Sequence, residues 1–276
     1  MSSMPMMRRF YQDPYLLIRS FTLNLITCVA ACVALYAYHS PEFYNFEFQA
    51  WHLAFIPLGV YLGGISAVFI HNATHGSFPI QWMNWWAGQL AGMHQLWGFT
   101  GWKIIHLVHH QYSDDANMDP HPPAGKPFGK FLRTMFVHSS AKITERYREH
   151  YGLTARTKLL QTAVYVVFIS LAVAHIAFWY LLLGPEAFVF GYIPSYITNH
   201  LLFAHINYYA HPQNPETGEY NAGNMDSNLY YKLANFFWCG IYYHDNHHRK
   251  PMLFNPKKMV ASRRRDDTSQ EMDLAA

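Results

Sequence analysis

Charge is what this sequence has least of. Only 13% of its 276 residues are Asp, Glu, Lys or Arg, while 51% are hydrophobic. A water-soluble domain carries nearer a quarter charged, so much of the surface must suit lipid. The mean hydropathy of -0.07 requires that a sizeable part also lie outside the membrane. Cysteine is equally sparse, with Cys28, Cys32 and Cys239 alone. No C-x-x-C pair exists, which removes iron–sulfur and zinc-ribbon sites. No disulfide framework is needed, which fits chemistry on a reducing side. Also missing are a histidine run at either end, G-x-S-x-G, H-E-x-x-H, flavin or dinucleotide fingerprints, a haem-domain motif and an internal repeat.

Four segments are apolar for about the ~20 residues that a bilayer helix needs. They are about Phe21 to Tyr38, Trp51 to Ile70, Leu159 to Leu183, and Glu186 to Ile206. Arg8, Arg9 and Arg19 precede the first, whose length and lack of a small-residue cleavage site read as a retained helix and not a signal peptide. The stretch Phe78 to Phe99 holds four Trp residues, glycines and polar residues; it suits an interfacial or re-entrant helix better than a span. With a cytoplasmic N-terminus, the outside loops are about His39 to Ala50 and a turn at Gly184–Pro185. All 20 basic residues then fall on the cytoplasmic side, as the positive-inside tendency requires. The expectation is an all-α integral membrane protein of one domain over 1–276. It has about four transmembrane helices and a cytoplasmic helical cap, with residues 1–20 cytoplasmic and about 263–276 a flexible tail.

Histidine is what the chain has in excess, with 18 residues. Box one is His71-Asn-Ala-Thr-His75, box two His106-Leu-Val-His109-His110, and box three His244-Asp-Asn-His247-His248. Residues at i, i+3 and i+4 share a helix face, so each box is expected to aim its imidazoles at one point. One structural zinc takes about four ligands and favours thiolate; eight imidazoles imply two metals. Imidazole suits iron, copper, zinc and nickel, and spacing alone does not choose. Asp119 and Asp245 are candidates to orient the rings from behind, whereas Asp114 and Asp115 read as a polar loop.

With these boxes the chain resembles the membrane fatty acid desaturase superfamily, which includes alkane hydroxylases, carotenoid ketolases and sterol-modifying oxidases. The resemblance runs from about the second span to Pro256. It implies a non-haem di-iron centre, ferrous when reduced, with nine imidazoles divided four and five. The ninth ligand would be His211, in Asn207-Tyr-Tyr-Ala-His211, with Asn207 approaching directly or through water; His200 and His205 are rivals nearby. Bridging carboxylates, usual in soluble di-iron bundles, would be absent.

An apolar substrate would reach such a site from lipid, and breaking an unactivated C–H bond needs an oxidant that redox-silent zinc cannot supply. The implied activity is O2-dependent desaturation of a fatty acyl chain, carried as a lipid, acyl-CoA or acyl-carrier-protein ester. Electrons would come from a ferredoxin or small cytochrome, and no nucleic-acid partner is expected. Hydroxylation or ketolation of an alkane, fatty acid, carotenoid or sterol is the alternative. A metal transporter or haem-carrying membrane protein is the non-enzymatic one. The implied location is a bacterial inner membrane or endoplasmic reticulum, with boxes and both termini cytoplasmic.

Overall fold

In the computed structural model, which describes residues 4–123 and 125–259, the chain is helical. Among the described residues, β-pairing is confined to two isolated bridges, Gln213 with Tyr220 and Asn224 with Tyr243. The expected tail 263–276 lies outside the described residues.

Three stretches are long and apolar enough to cross a membrane: Leu16–Tyr38, Ala50–His75 and Ala155–Tyr209. The first, α2 (Leu16–Tyr38), follows a short α1 (Met4–Gln12). It starts before the expected Phe21 because Asp13 closes the turn, pairing with Arg19 and accepting the Tyr15 amide. Only 11% of its apolar window is buried, and Leu23, Ile26 and Val33 point outward. Exposing such a surface to water costs about 25 cal/mol per Å², so lipid is its proper solvent.

The third stretch is not straight. It comprises α7 (Ala155–Ala187), a wide π-helical turn Phe188–Tyr192, and α8 (Ile193–Tyr209). Gly184 breaks the helix with φ 73 and ψ 166, and Pro185 follows it. Trp179 and Tyr192 stack with ring centroids 5.5 Å apart, whereas a continuous helix would separate them by about 20 Å. The chain therefore reverses at the expected Gly184–Pro185 turn. α8 then runs beside α3 (Phe55–His75), with no room for a side chain at Gly59 or Gly63 of α3. A Cβ on Gly59 would stand 2.2 Å from the Gly191 carbonyl oxygen, and one on Gly63 equally close to that of Ser195. Small residues at this seam let two membrane helices approach closely.

The Trp-rich stretch forms α4 (Gln81–His94), whose 14 residues are too few for a span. Its end meets the start of α8, where His94 Nε2 and Ser195 Oγ are 2.8 Å apart and Tyr192 donates to the His94 carbonyl. Leu96 and Gly98, both at positive φ, then turn the chain back. α5 (Phe99–Gln111) returns along α4, and the close fit of Gly92 to the Phe99 backbone holds the pair. α6 (Phe128–Tyr151), α9 (Leu229–Phe237) and α10 (His244–Arg249) complete the chain. Ile70, Ala73, Trp102, Phe131, Phe203 and Tyr242 belong to one buried core beside the box-bearing ends of α3, α5 and α8.

Candidate metal centre

Each box sits where a helix starts or stops. Box one is the last turn of α3, ended by Gly76 at φ 73, with the Ser77 amide returned to the Asn72 carbonyl. Box two fills the last turn of α5, and box three makes up most of α10. His211 lies just past the end of α8 and is 1% exposed.

The nine rings form two groups. His71, His75, His106, His110 and His247 bring one nitrogen each to within 4.8 Å of one another, and His109, His211, His244 and His248 do the same. The three-histidine boxes do not aim at one point each, as expected from the sequence. Box two sends His106 and His110 to the first group and His109 to the second; box three sends His244 and His248 to the second and His247 to the first. Helical geometry explains the division. At 3.6 residues per turn, i and i+4 differ by about 40° in direction, while i+3 and i+4 differ by about 100°.

The donor set fits a pair of metal ions. In the first group the Nε2–Nε2 distances are 2.8 Å for His75–His106, 3.1 Å for His106–His110 and 2.9 Å for His110–His247. In the second they are 2.9 Å for His211–His244 and 3.1 Å for His244–His248. An imidazole nitrogen has one in-plane direction, filled by either a proton or a lone pair. The Nε2 atoms of His106, His110 and His244 each have two nitrogen neighbours, so these contacts cannot all be hydrogen bonds. Lone pairs aimed at a shared cation satisfy every contact. Two nitrogens about 2.1 Å from a metal and at right angles to each other stand about 3.0 Å apart, which is the spacing found. His109 Nε2 is buried without any hydrogen-bond partner. Burial, reinforced by neighbouring imidazoles, pushes His244 and His247 well below the ordinary histidine range. Both are thus held neutral, the form that binds metal.

The loop after box two holds the second group from behind. Asp119, fully buried, contacts His109 Nδ1 at 3.0 Å and accepts the backbone amides of Asp114 and His121. Burial alone would raise its pKa; His109, His121 and these hydrogen bonds outweigh it and hold the carboxyl well below its usual range. A carboxylate only accepts, so a proton sits on His109 Nδ1, and the neutral ring turns its Nε2 lone pair to the group. Asp114 Oδ2 does the same for His211 Nδ1 at 2.9 Å. Burial and then the nearby His109 push His121 down to about 3, against the opposing pull of Asp119.

Asp114 and His121 escape a sequence reading. Their only signal is position in an Asp-rich loop after a box, which resembles any polar turn. Asp245 departs from expectation: its carboxylate accepts from Arg249, one turn along α10. Asn207 donates to the Phe203 carbonyl and borders a cavity of about 20 Å³ with Trp102 and His121, outside both groups. Of the rivals to His211, His200 bonds the Tyr196 carbonyl and His205 the Tyr242 hydroxyl; neither joins a group.

The family profile described as fatty acid desaturase matches residues 48–257. No curated protein and no solved structure matches the chain.

Proposed function

Because the chain belongs to the fatty acid desaturase family, we propose that it is an integral-membrane oxidoreductase that desaturates a fatty acyl chain with O2 and electrons from a separate protein. The net reaction converts a CH2–CH2 unit, O2, two electrons and two protons into a cis or trans double bond and two waters. The observation that carries this reading is the convergence of nine buried or half-buried imidazoles in groups of five and four. In it, His71, His75, His106, His110 and His247 hold one iron, and His109, His211, His244 and His248 hold the other. The iron pair, when bound, supplies the O2 reduction and oxidising power that no side chain here possesses.

The protein's own part is orientation and shelter. Asp119 and Asp114 keep the protons of His109 and His211 on Nδ1 and fix both rings. A cavity of about 150 Å³, bordered by Phe21, Trp97, Ile104, Ile105 and Phe168, shares Trp97 and Ile105 with the small cavity beside Trp102 and His121. Trp102 in turn stacks on His106. In this reading the acyl chain lies along that apolar line, which keeps water from the reacting methylenes. α2, α3, α7 and α8 each cross the bilayer, with α7 and α8 joined outside at Gly184. The boxes face the cytoplasm, where a ferredoxin or small cytochrome delivers electrons.

The test is expression with an electron donor in a lipid-profiled host, beside elemental analysis of the purified protein. Two irons per chain and new unsaturated acyl chains are expected. Oxygenated lipid would replace desaturation by hydroxylation, and one zinc or a haem would end the di-iron reading.

A further inference from the structure

The segment that delivers box three reaches deep along α3. Trp238, just beyond α9, donates its indole N–H to the Tyr61 carbonyl, and its ring lies where a Cβ on Gly64 would stand. Phe237 packs near the Tyr61 ring. Tyr61 is about 21 Å along α3 from His75 at 1.5 Å per residue, close to the middle of a hydrocarbon layer about 30 Å thick. The other end of α9 is far shallower: Tyr230 bonds the Tyr242 hydroxyl, which in turn bonds His205 near the end of α8. α9 therefore descends beside α3. Cys239 and Gly240, both at positive φ, reverse the chain, and it climbs back to His244.

Three features suit this finger to lipid and not to water. Leu229, Leu233, Phe236 and Phe237 are between 47% and 77% exposed and continue the outward face of α3 near Gly64, where Val60 and Tyr61 are also exposed. Leu233 to Tyr243 contains no charged residue. Most of the backbone at the tip is satisfied internally, as a non-aqueous solvent favours. The amides of Trp238, Gly240, Ile241 and Tyr243 bond nearby carbonyls, and buried Asn235 accepts from the Tyr242 amide while donating to the Met225 carbonyl.

We propose that residues 233–243 form a re-entrant finger immersed in the acyl chains of the cytoplasmic leaflet, with Lys232 at its headgroup-level base. Box three is then set at a fixed depth by a lipid-anchored turn, just as box two follows the return of α5. The occupant of the exposed α9 face is the hydrocarbon of membrane lipid. This rests on the reading of α3 as a span, and neither on the metal nor on the reaction.

The experiment uses the full chain in lipid discs containing a phosphatidylcholine with a diazirine near the end of one acyl chain. After illumination, carbene adducts are mapped by peptide mass spectrometry. Peptides covering 233–238 should be labelled to the same extent as those of α2, and peptides covering 213–220 should stay unlabelled. In a parallel assay, a membrane-impermeant maleimide should modify Glu219→Cys and fail to modify Phe236→Cys. Labelled α2 with unlabelled 233–238, or ready modification of Phe236→Cys, would overturn the finger. Protection of an otherwise modified Phe236→Cys by an added electron-carrier protein would assign the face to a protein partner instead. Failure of α2 itself to take label would sink the membrane reading rather than the finger alone.

Discussion

Boxes two and three have the same H-x-x-H-H spacing, yet they serve the two histidine groups in opposite proportion. Box two gives its i, i+4 pair to the five-membered group and its i+3 ring to the other; box three does the reverse. His109 and His247 are thus the two crossing rings, each reaching past its own box. α5 and α10 are therefore interlocked through the groups, and neither helix completes a histidine group alone. The groups also differ in support. Asp114 and Asp119 stand behind the four-membered one. Among the described residues, no hydrogen bond from His71, His106, His110 or His247 goes to a carboxylate.

The crossing rings give the sharpest way to break this picture. His109→Ala and His247→Ala should each abolish product formation while the protein still inserts, a loss beyond the about 100-fold that an outer-shell change produces. Elemental analysis should separate them. His109→Ala leaves three rings in its group and drops metal toward one per chain, whereas His247→Ala leaves four rings and keeps more. Equal metal loss in both variants would show that the groups are not assembled crosswise.

Next in size is the contrast between His211 and His205. His211→Ala should lose activity and metal from the four-membered group. His205→Ala removes the bond to the Tyr242 hydroxyl and the ring contacts with Tyr209 and Tyr230, about 1–2 kcal/mol of stability, and should retain two metals. The opposite result in a metal assay would reassign the ninth ring.

Asp119→Asn should weaken metal at the four-membered group about 10- to 100-fold, read by competition with a chelator. Asp114→Asn should fall near the lower end of that range, because Asp114 sits at φ 68, a conformation asparagine accepts. Uniform weakening of both metals by either change would contradict the assignment of the carboxylates to one group. The smallest effect belongs to Asp245→Ala. It removes a half-exposed i, i+4 pair with Arg249, about 0.5 kcal/mol or less, and should leave metal affinity unchanged.

The boxes were legible in the sequence because helical periodicity is a local property. So was the reversal at Gly184–Pro185, where a glycine and a proline interrupt an apolar run. That 78–99 does not form a full span was legible from its glycines and scattered amides, and α4 is indeed only 14 residues long. Box three's finger was not, since Leu233 to Tyr243 is too short to register as a span and its depth depends on Trp238 meeting Gly64.

Sequence alone determined that this chain needs lipid around it and carries three histidine clusters at helical spacing; both follow from composition and from contacts within a few residues. Tertiary structure alone decided how the nine rings divide. It also decided that Asp114 backs His211 from 97 positions away and that Asp245 turns to Arg249. Those outcomes depend on how α3, α5, α8 and α10 meet, and a direction 40° or 100° around a helix acquires meaning only when another helix faces it.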